Sequence, residues 1–269
     1  MTTATRLPTY FVSHGGGPWP WIKDMLPGDF RPLERSLQQM ARDTHQKVKA
    51  ILCISAHWET NDFTVMTNPR PGMVYDYGGF PDFTYRISYP SPGAPEVAER
   101  VVQLLEGSSL TVRRDADRGI DHGVYAVTYP AWPKADLPVL QLSIRRDYDP
   151  ALHLACGRAL APLRDEGVLI LGSGFSYHNM RGFGGGGKAS SADFDRWLSH
   201  SMCSVPPVER TERLLHWDTA PSARACHPAE DHLVPLFVAV GAAEGETGSR
   251  CFHQTDFFGS ITASSFRFG

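Results

Sequence analysis

Eleven histidines stand in a chain of 269 residues that carries 26 lysines and arginines. Four of them sit where short apolar runs give way to small-residue corners. His14 follows Tyr10–Ser13, His57 follows Ala50–Ala56, His122 lies in Gly119-Ile120-Asp121-His122-Gly123, and His178 comes after the apolar run Gly167–Leu171 and a glycine-serine turn. A fifth locus, Cys226–His232, supplies His227 and His232 just ahead of an apolar helix. Neutral imidazole is a common ligand for zinc and iron, and three protein ligands with positions left open mark a catalytic rather than a structural ion. Each histidine taken singly is as readily a satisfied structural residue. Their repetition at equivalent points argues for one shared site. No H-E-x-x-H or other short metal motif occurs, so spacing alone leaves the choice of ligands open.

The elements that must position these residues follow from the pattern. Ala50–Glu59 opens with apolar residues that do not alternate, as in a strand buried on both faces, and open α/β sheets place ligands at the carboxyl ends of such strands. Tyr10–Ser13 reads as a strand ending in His14-Gly15-Gly16-Gly17, and Pro32–Val48 as an amphipathic helix with its proline suited to the first turn. Together with the Ile51 strand these make a βαβ unit, which would put His14 and His57 on the same edge of a parallel sheet. Further strands are expected at Phe63–Met66, Leu137–Ile144, Gly167–Leu171, Phe252–Phe257 and Ile261–Phe268. Helices are expected at Ala94–Glu106, Ala151–Arg164, Asp193–Met202 and through about Val240. Pro69–Pro95, rich in glycine, proline and tyrosine, is too long for an ordinary connection and reads as a functional loop or pocket wall. Gly182–Gly187 reads as a mobile loop. No repeat or linker divides the chain, so residues 1–269 are expected to form a single α/β domain.

Apolar residues make up 42% and charged residues 20%, and the formal net charge is −3. That balance, with no run of five or six like charges, argues against a nucleic-acid surface or a membrane anchor. The apolar runs fall short of the roughly 20 residues a bilayer span needs. Met1–Pro8 lacks the layout of a signal peptide, and the five scattered cysteines suit reduced thiols, so a cytoplasmic protein is expected.

Seven strings occur in order along the chain: S-H-G-G-G-P from Ser13, S-A-H-W-E from Ser55, G-G-F-P from Gly78, Y-P-S-P-G from Tyr89, D-H-G from Asp121, S-Y-H-N from Ser176 and E-D-H-L-V-P-L from Glu230. In this order the chain resembles the class III extradiol ring-cleaving dioxygenases, most of all their 4,5-DOPA dioxygenase branch, from about Phe11 to the C-terminus. The resemblance implies a mixed, mostly parallel central sheet flanked by helices and a mononuclear divalent metal. It implies His14, His57 and His232 as metal ligands, with Glu230 in reserve for the third position. His178 resembles the acid–base residue and can lie near enough to be a further metal contact. His122 resembles the residue that orients substrate and oxygen. His227 would stand behind the ligands or cap a helix with Pro228. The alternatives are a turn histidine bonded to Asp121 for His122 and a backbone-bonded strand-end histidine for His178.

The activity so implied is non-haem, metal-dependent opening of a catechol-type ring by O2 to a muconic semialdehyde-type product. Fe(II) is the working metal and Zn(II) the alternative, and the partners are an aromatic diol and O2, on a monomer or a homodimer. Trp19, Trp21, Tyr75, Tyr77, Phe80 and Tyr125 are candidates for pocket walls, with ordinary core or loop packing the alternative for each, and Arg86 and Arg118 are candidates for a substrate carboxylate, with surface salt bridges the alternative. The rival activities are a zinc-binding hydrolase, or a metal-binding protein, on the same fold.

Overall fold

Ile51, Leu52, Cys53 and Ile54 are wholly buried, as a non-alternating apolar run requires in a strand covered on both faces. A computed structural model, which describes residues 6–44 and 47–269, places that run in the middle of an eight-stranded sheet. The strands are β1 (Thr9–Ser13), β2 (Ala50–Thr60), β3 (Phe63–Met66), β4 (Val112–Asp115), β5 (Val139–Arg145), β6 (Val168–Gly174), β7 (Gly248–Phe257) and β8 (Ile261–Phe268). They lie in the order β4-β3-β5-β2-β6-β1-β8-β7. The central four, β5, β2, β6 and β1, run parallel. β3 and β8 join them antiparallel, which makes the sheet mixed.

The helices are α1 (Trp19–Ile22), α2 (Arg31–Thr44), α3 (Pro95–Gly107), α4 (His122–Ala131), α5 (Pro150–Leu160), α6 (Lys188–Cys203), α7 (Pro207–Leu215), α8 (Ala223–Cys226) and α9 (Val234–Gly241). α9 packs on β1, β6 and β2 and against α5, α6 covers β8, and α2 packs on α4. The amphipathic helix read as Pro32–Val48 is described from Arg31 to Thr44; positions 45 and 46, and the first five residues of the N-terminal stretch, lie outside the described residues. No helix of the described residues is long and apolar enough to cross a membrane.

One expectation stands and one is corrected here. β1 and β2 are parallel, as the βαβ reading requires, but β6 lies between them. The strand holding His57 does not stop at a corner. β2 runs on to Thr60, while its pairing with β6 ends at Ser55 and its pairing with β5 shifts between Ser55 and Glu59. An irregularity of this kind re-aims a side chain beside a site, and His57 sits inside it. The glycines of β6 serve a different end. A side chain on Gly172 or Gly174 would strike the carbonyls of Pro235 and His232, so their absence lets the start of α9 close onto the sheet. The Phe175 N–H then donates to the His232 carbonyl at 2.9 Å and fixes that loop over the end of β6.

Candidate metal centre

At the carboxyl edge of the parallel strands the rings of His14, His57 and His232 turn inward. His57 Nε2 lies 3.2 Å from His14 Nε2 and 3.2 Å from His232 Nε2. One nitrogen from each of the three falls within 4.8 Å of the others. The far side of each ring is held by oxygen. His14 Nδ1 is 3.2 Å from Ser173 Oγ, whose own hydrogen goes to the Gly123 carbonyl. That serine therefore accepts from His14, which leaves Nε2 without a proton. His232 Nδ1 meets Asp231 Oδ2 at 2.5 Å and His57 Nδ1 faces Asp76 Oδ2 at 3.4 Å. Carboxylates only accept, so these rings too carry their hydrogen on Nδ1.

Three unprotonated nitrogens thus point at one place, an arrangement that repels itself unless a cation sits among them. On a tetrahedral ion at about 2.0–2.1 Å, neighbouring imidazole nitrogens stand roughly 3.3 Å apart, and at right angles roughly 2.9 Å. The observed 3.2 Å lies between the two. Burial, together with the neighbouring histidines, drives His14 and His232 well below the usual imidazole pKa. It brings His57 down to about 3, with the charge of His122 adding to the effect and that of Asp76 opposing it. All three are neutral at physiological pH, the form that ligates. The donor set fits a divalent metal.

Two more histidines flank the trio. His122 opens α4 and lies 3.9 Å, ring centre to ring centre, from His57. Its backbone N–H and its Nδ1 both bond Asp76 Oδ1, at 3.2 and 2.8 Å. The expected alternative partner, Asp121, is engaged elsewhere. Its buried carboxylate accepts from Ser55 and Gln141 and pairs with Arg118 at 2.8 Å. That network pins the start of α4 to β2 and β5. Burial raises the Asp121 carboxyl despite Arg118, whereas for Asp76 the bonds and charge of His122 and His57 outweigh burial and lower it. His178 stacks on His232 with centres 3.3 Å apart and planes 16° from parallel. Its Nδ1 is 3.6 Å from Asp231 Oδ2. Burial lowers its pKa, with the charge of Asp231 opposing.

All five histidines line one cavity of about 440 Å3. A larger groove of about 610 Å3 beside α2 carries none of them. Glu230 is not in the cluster, because it pairs with Arg224 at 2.8 Å. His227 follows α8 and donates to the Ser176 carbonyl, its ring packed near Phe194 and Trp217. Of the aromatic candidates, Tyr77 and Phe80 face the cavity. Trp19 packs on Phe30, Trp21 stacks on Tyr129, and the Tyr75 and Tyr125 hydroxyls are bonded to backbone carbonyls. Arg118 is spent on Asp121 and lies over Trp58, and Arg86 is exposed outside the cavity, so neither reaches it. Phe175, Phe183 and Phe258 add further aromatic rings to the walls, and Leu26, Pro27 and Met180 line it as well. Phe183 arrives because the glycine passage expected to be a mobile loop closes into a turn, with Gly187 N–H donating to the Gly182 carbonyl at 2.8 Å. Asp76 and Ser173 were not singled out from sequence; Tyr75-Asp76-Tyr77 stood out only for its aromatic rings.

Comparison with known proteins places this geometry. Residues 10–268 match the family described as the catalytic LigB subunit of aromatic ring-opening dioxygenase. A protein of Beta vulgaris named 4,5-DOPA dioxygenase extradiol is 36% identical over 266 residues, 97% of this chain and 96% of that protein. One of the same name from Escherichia coli (strain K12) is 34% identical, over 91% of this chain and 89% of its own length. Dioxygenase tasH of Hapsidospora irregularis is 34% identical over 91% and 81%. The crystal structure of an uncharacterized protein from Escherichia coli K12 superposes with a TM-score of 0.78 at 29% identity, covering 98% of this chain and all of that one.

Proposed function

The chain belongs to the family of the catalytic LigB subunit of aromatic ring-opening dioxygenases, and from that premise we propose that it opens catechol-type rings beside the diol, at a divalent metal held by His14, His57 and His232. The observation that carries this reading is the convergence of one ring nitrogen from each of His14, His57 and His232 on one place, inside a cavity that His122 and His178 also line. Fe(II) is the metal proposed, because activating O2 requires electron exchange and Zn(II) has none to offer. When bound it would supply a Lewis acid for the catechol oxygens and a path for electrons between ring and O2.

The protein's own residues do the rest. His178 sits over His232 with its Nδ1 side toward Asp231, and its Nε2 has no hydrogen-bond partner among the described residues. It is placed to take a proton from a catechol hydroxyl and to return it later. His122, doubly bonded to Asp76, orients the ring and oxygen from the opposite flank. The aromatic walls exclude water. Both atoms of O2 end in the product, one as carboxylate and one as aldehyde, so no outside reductant is required.

The test is to load the protein with Fe(II) without air, add a panel of catechols, and admit oxygen. Oxygen uptake with a coloured ring-opened product is expected. Failure on the whole panel, with one metal per chain verified, overturns the reading.

A further inference from the structure

The strand that carries His57 loses its partners just where the histidine leaves it. Ser55 pairs with Ser143 of β5 and Glu59 with the next residue, Ile144, while the pairing with β6 stops at Ser55. Ala56, His57 and Trp58 therefore have no counterpart on either neighbouring strand. A stretch freed from its ladder can turn a side chain toward a site, but both of its ends must then be held if that side chain is to serve as a ligand. The near end is fastened on β2 itself. The Ser55 hydroxyl donates to Asp121 at 2.7 Å and accepts from the His57 N–H at 3.2 Å. Beyond His57, Trp58 is buried with the Arg118 guanidinium 4.9 Å over its ring.

The far end is fastened from outside the strand. Tyr148, in the link between β5 and α5, donates its hydroxyl to Glu59 Oε2 at 2.6 Å. The link itself is fixed. The Arg146 N–H donates to the Thr60 carbonyl at 2.9 Å, the Tyr148 N–H to the Arg145 carbonyl at 3.1 Å, and His153 of α5 accepts from the Arg145 N–H at 3.1 Å. Tyr148 stands at a φ of +51°, in the left-handed region that a bulky side chain enters only where its surroundings hold it, and such strain gathers beside functional geometry. Burial, the bond to Glu59 and the charges of Glu59, Asp231 and Glu230 all raise the Tyr148 pKa, so the hydroxyl remains a donor. Neither Tyr148 nor Glu59 lines the cavity, so the bond acts at a distance from substrate. Resting on the metal site proposed above, we infer that Tyr148 is a positioning residue: by holding Glu59 it fixes the far end of the unpaired stretch and so aims His57 at the metal.

The experiment measures Co(II) binding to the whole protein without substrate, by chelator competition and by the visible absorption of the bound ion, which reports its ligand geometry. Tyr148→Phe keeps the ring and loses the hydroxyl. It is expected to weaken Co(II) binding about tenfold, the lower end for a residue that supports a ligand from behind, and to alter the visible bands. Glu59→Ala should do the same. Glu59→Gln, whose amide oxygen still accepts from Tyr148, should stay within about twofold of the unaltered protein. With His57 already replaced by alanine, Tyr148→Phe should cost less than about twofold, because the ligand it aims is gone. A general loss of stability would instead weaken binding alike with and without His57. Unchanged affinity and bands in Tyr148→Phe and Glu59→Ala, or equal losses in the two backgrounds, overturn the inference. If His57→Ala binds Co(II) as tightly as the unaltered protein, the three-histidine site on which the inference rests is overturned. Absence of turnover with every catechol, metal present, overturns ring opening alone and leaves these binding measurements standing.

Discussion

On one flank of the cavity Asp76 gives a different oxygen to each of two histidines, Oδ1 to His122 at 2.8 Å and Oδ2 to His57 at 3.4 Å. On the other flank one oxygen of Asp231 faces both His232 at 2.5 Å and His178 at 3.6 Å. The flanks have the same parts: a carboxylate, an inner histidine aimed at the metal position and an outer histidine beside it. Their outer members differ in freedom. The His122 side chain is 7% exposed, begins a helix and receives Asp76 at two donors. The His178 side chain is 27% exposed and hangs on a loop after β6, and among the described residues its ring nitrogens have only the long contact to Asp231. A residue that exchanges protons must change hydrogen-bond partners, whereas one that positions substrate must not. The loose flank suits the acid–base step and the clamped flank suits orientation.

The largest effect expected separates those flanks. His178→Ala should keep its metal and lose about 10²–10⁴-fold in kcat, the usual contribution of a positioned acid–base group. His122→Ala, also metal-replete, should lose less and show a larger share of its defect in KM. Metal analysis beside steady-state oxygen uptake checks both. Equal kcat losses would erase the division of labour. Next in size are the carboxylates behind the inner histidines. Removing such a partner commonly weakens metal binding about 10–100-fold. Asp231→Asn should lie toward the upper end and Asp76→Asn toward the lower, because the first holds its ligand at 2.5 Å and the second at 3.4 Å. Chelator competition ranks them, and the reverse order would break the comparison.

The two flanks also differ in how far sequence reveals them. Asp231 is next to His232, so the second flank is nearly complete within one short string. Asp76 is 46 residues from His122 and reaches it only because a loop of no clear periodicity folds back across the sheet. Position at a strand's carboxyl edge made His14, His57 and His178 readable, since it follows from fold rules alone. The irregular stretch of β2 that aims His57 was not readable, because a shift of register is set by the neighbouring strands. Phe258 likewise comes from the turn between β7 and β8, at the far end of the chain, and no local pattern distinguishes it from a core aromatic. Arg118 shows an ambiguity that the sequence left open: a cation beside D-H-G suits either a substrate carboxylate or a salt bridge, and a buried aspartate three residues on claimed it.

A buried histidine with no carboxylate bonded to it calibrates the pairs. His153, in α5, donates from Nδ1 to the Asp149 carbonyl at 2.7 Å and accepts at Nε2 from the Arg145 N–H at 3.1 Å. Burial depresses its pKa to about 4. Since the unfolded chain takes up this proton near the usual value of about 6.5 and the folded chain resists until about 4, stability falls as pH drops through that window and is unaffected above it. His153→Gln removes the dependence. The stability gap between the two proteins should therefore narrow by about 2 kcal/mol between pH 7 and pH 5, measured by denaturant unfolding of the metal-loaded forms. A gap independent of pH would mean that His153 is protonated alike in both states.

The smallest effect expected bears on the third ligand. Glu230 immediately precedes Asp231 in E-D-H, and a carboxylate in that place is chemically as fit for a divalent ion as His232. Its side chain instead turns to Arg224, at 2.8 Å, where half of the arginine is exposed. An ion pair so open to solvent contributes about 0–1 kcal/mol. Glu230→Gln should leave metal affinity within about twofold and unfolding stability within that margin, whereas His232→Gln should release the metal. If Glu230→Gln instead releases the metal while His232→Gln retains it, the loose flank of the comparison is built around the wrong residue, and Asp231 would then position nothing that touches the ion.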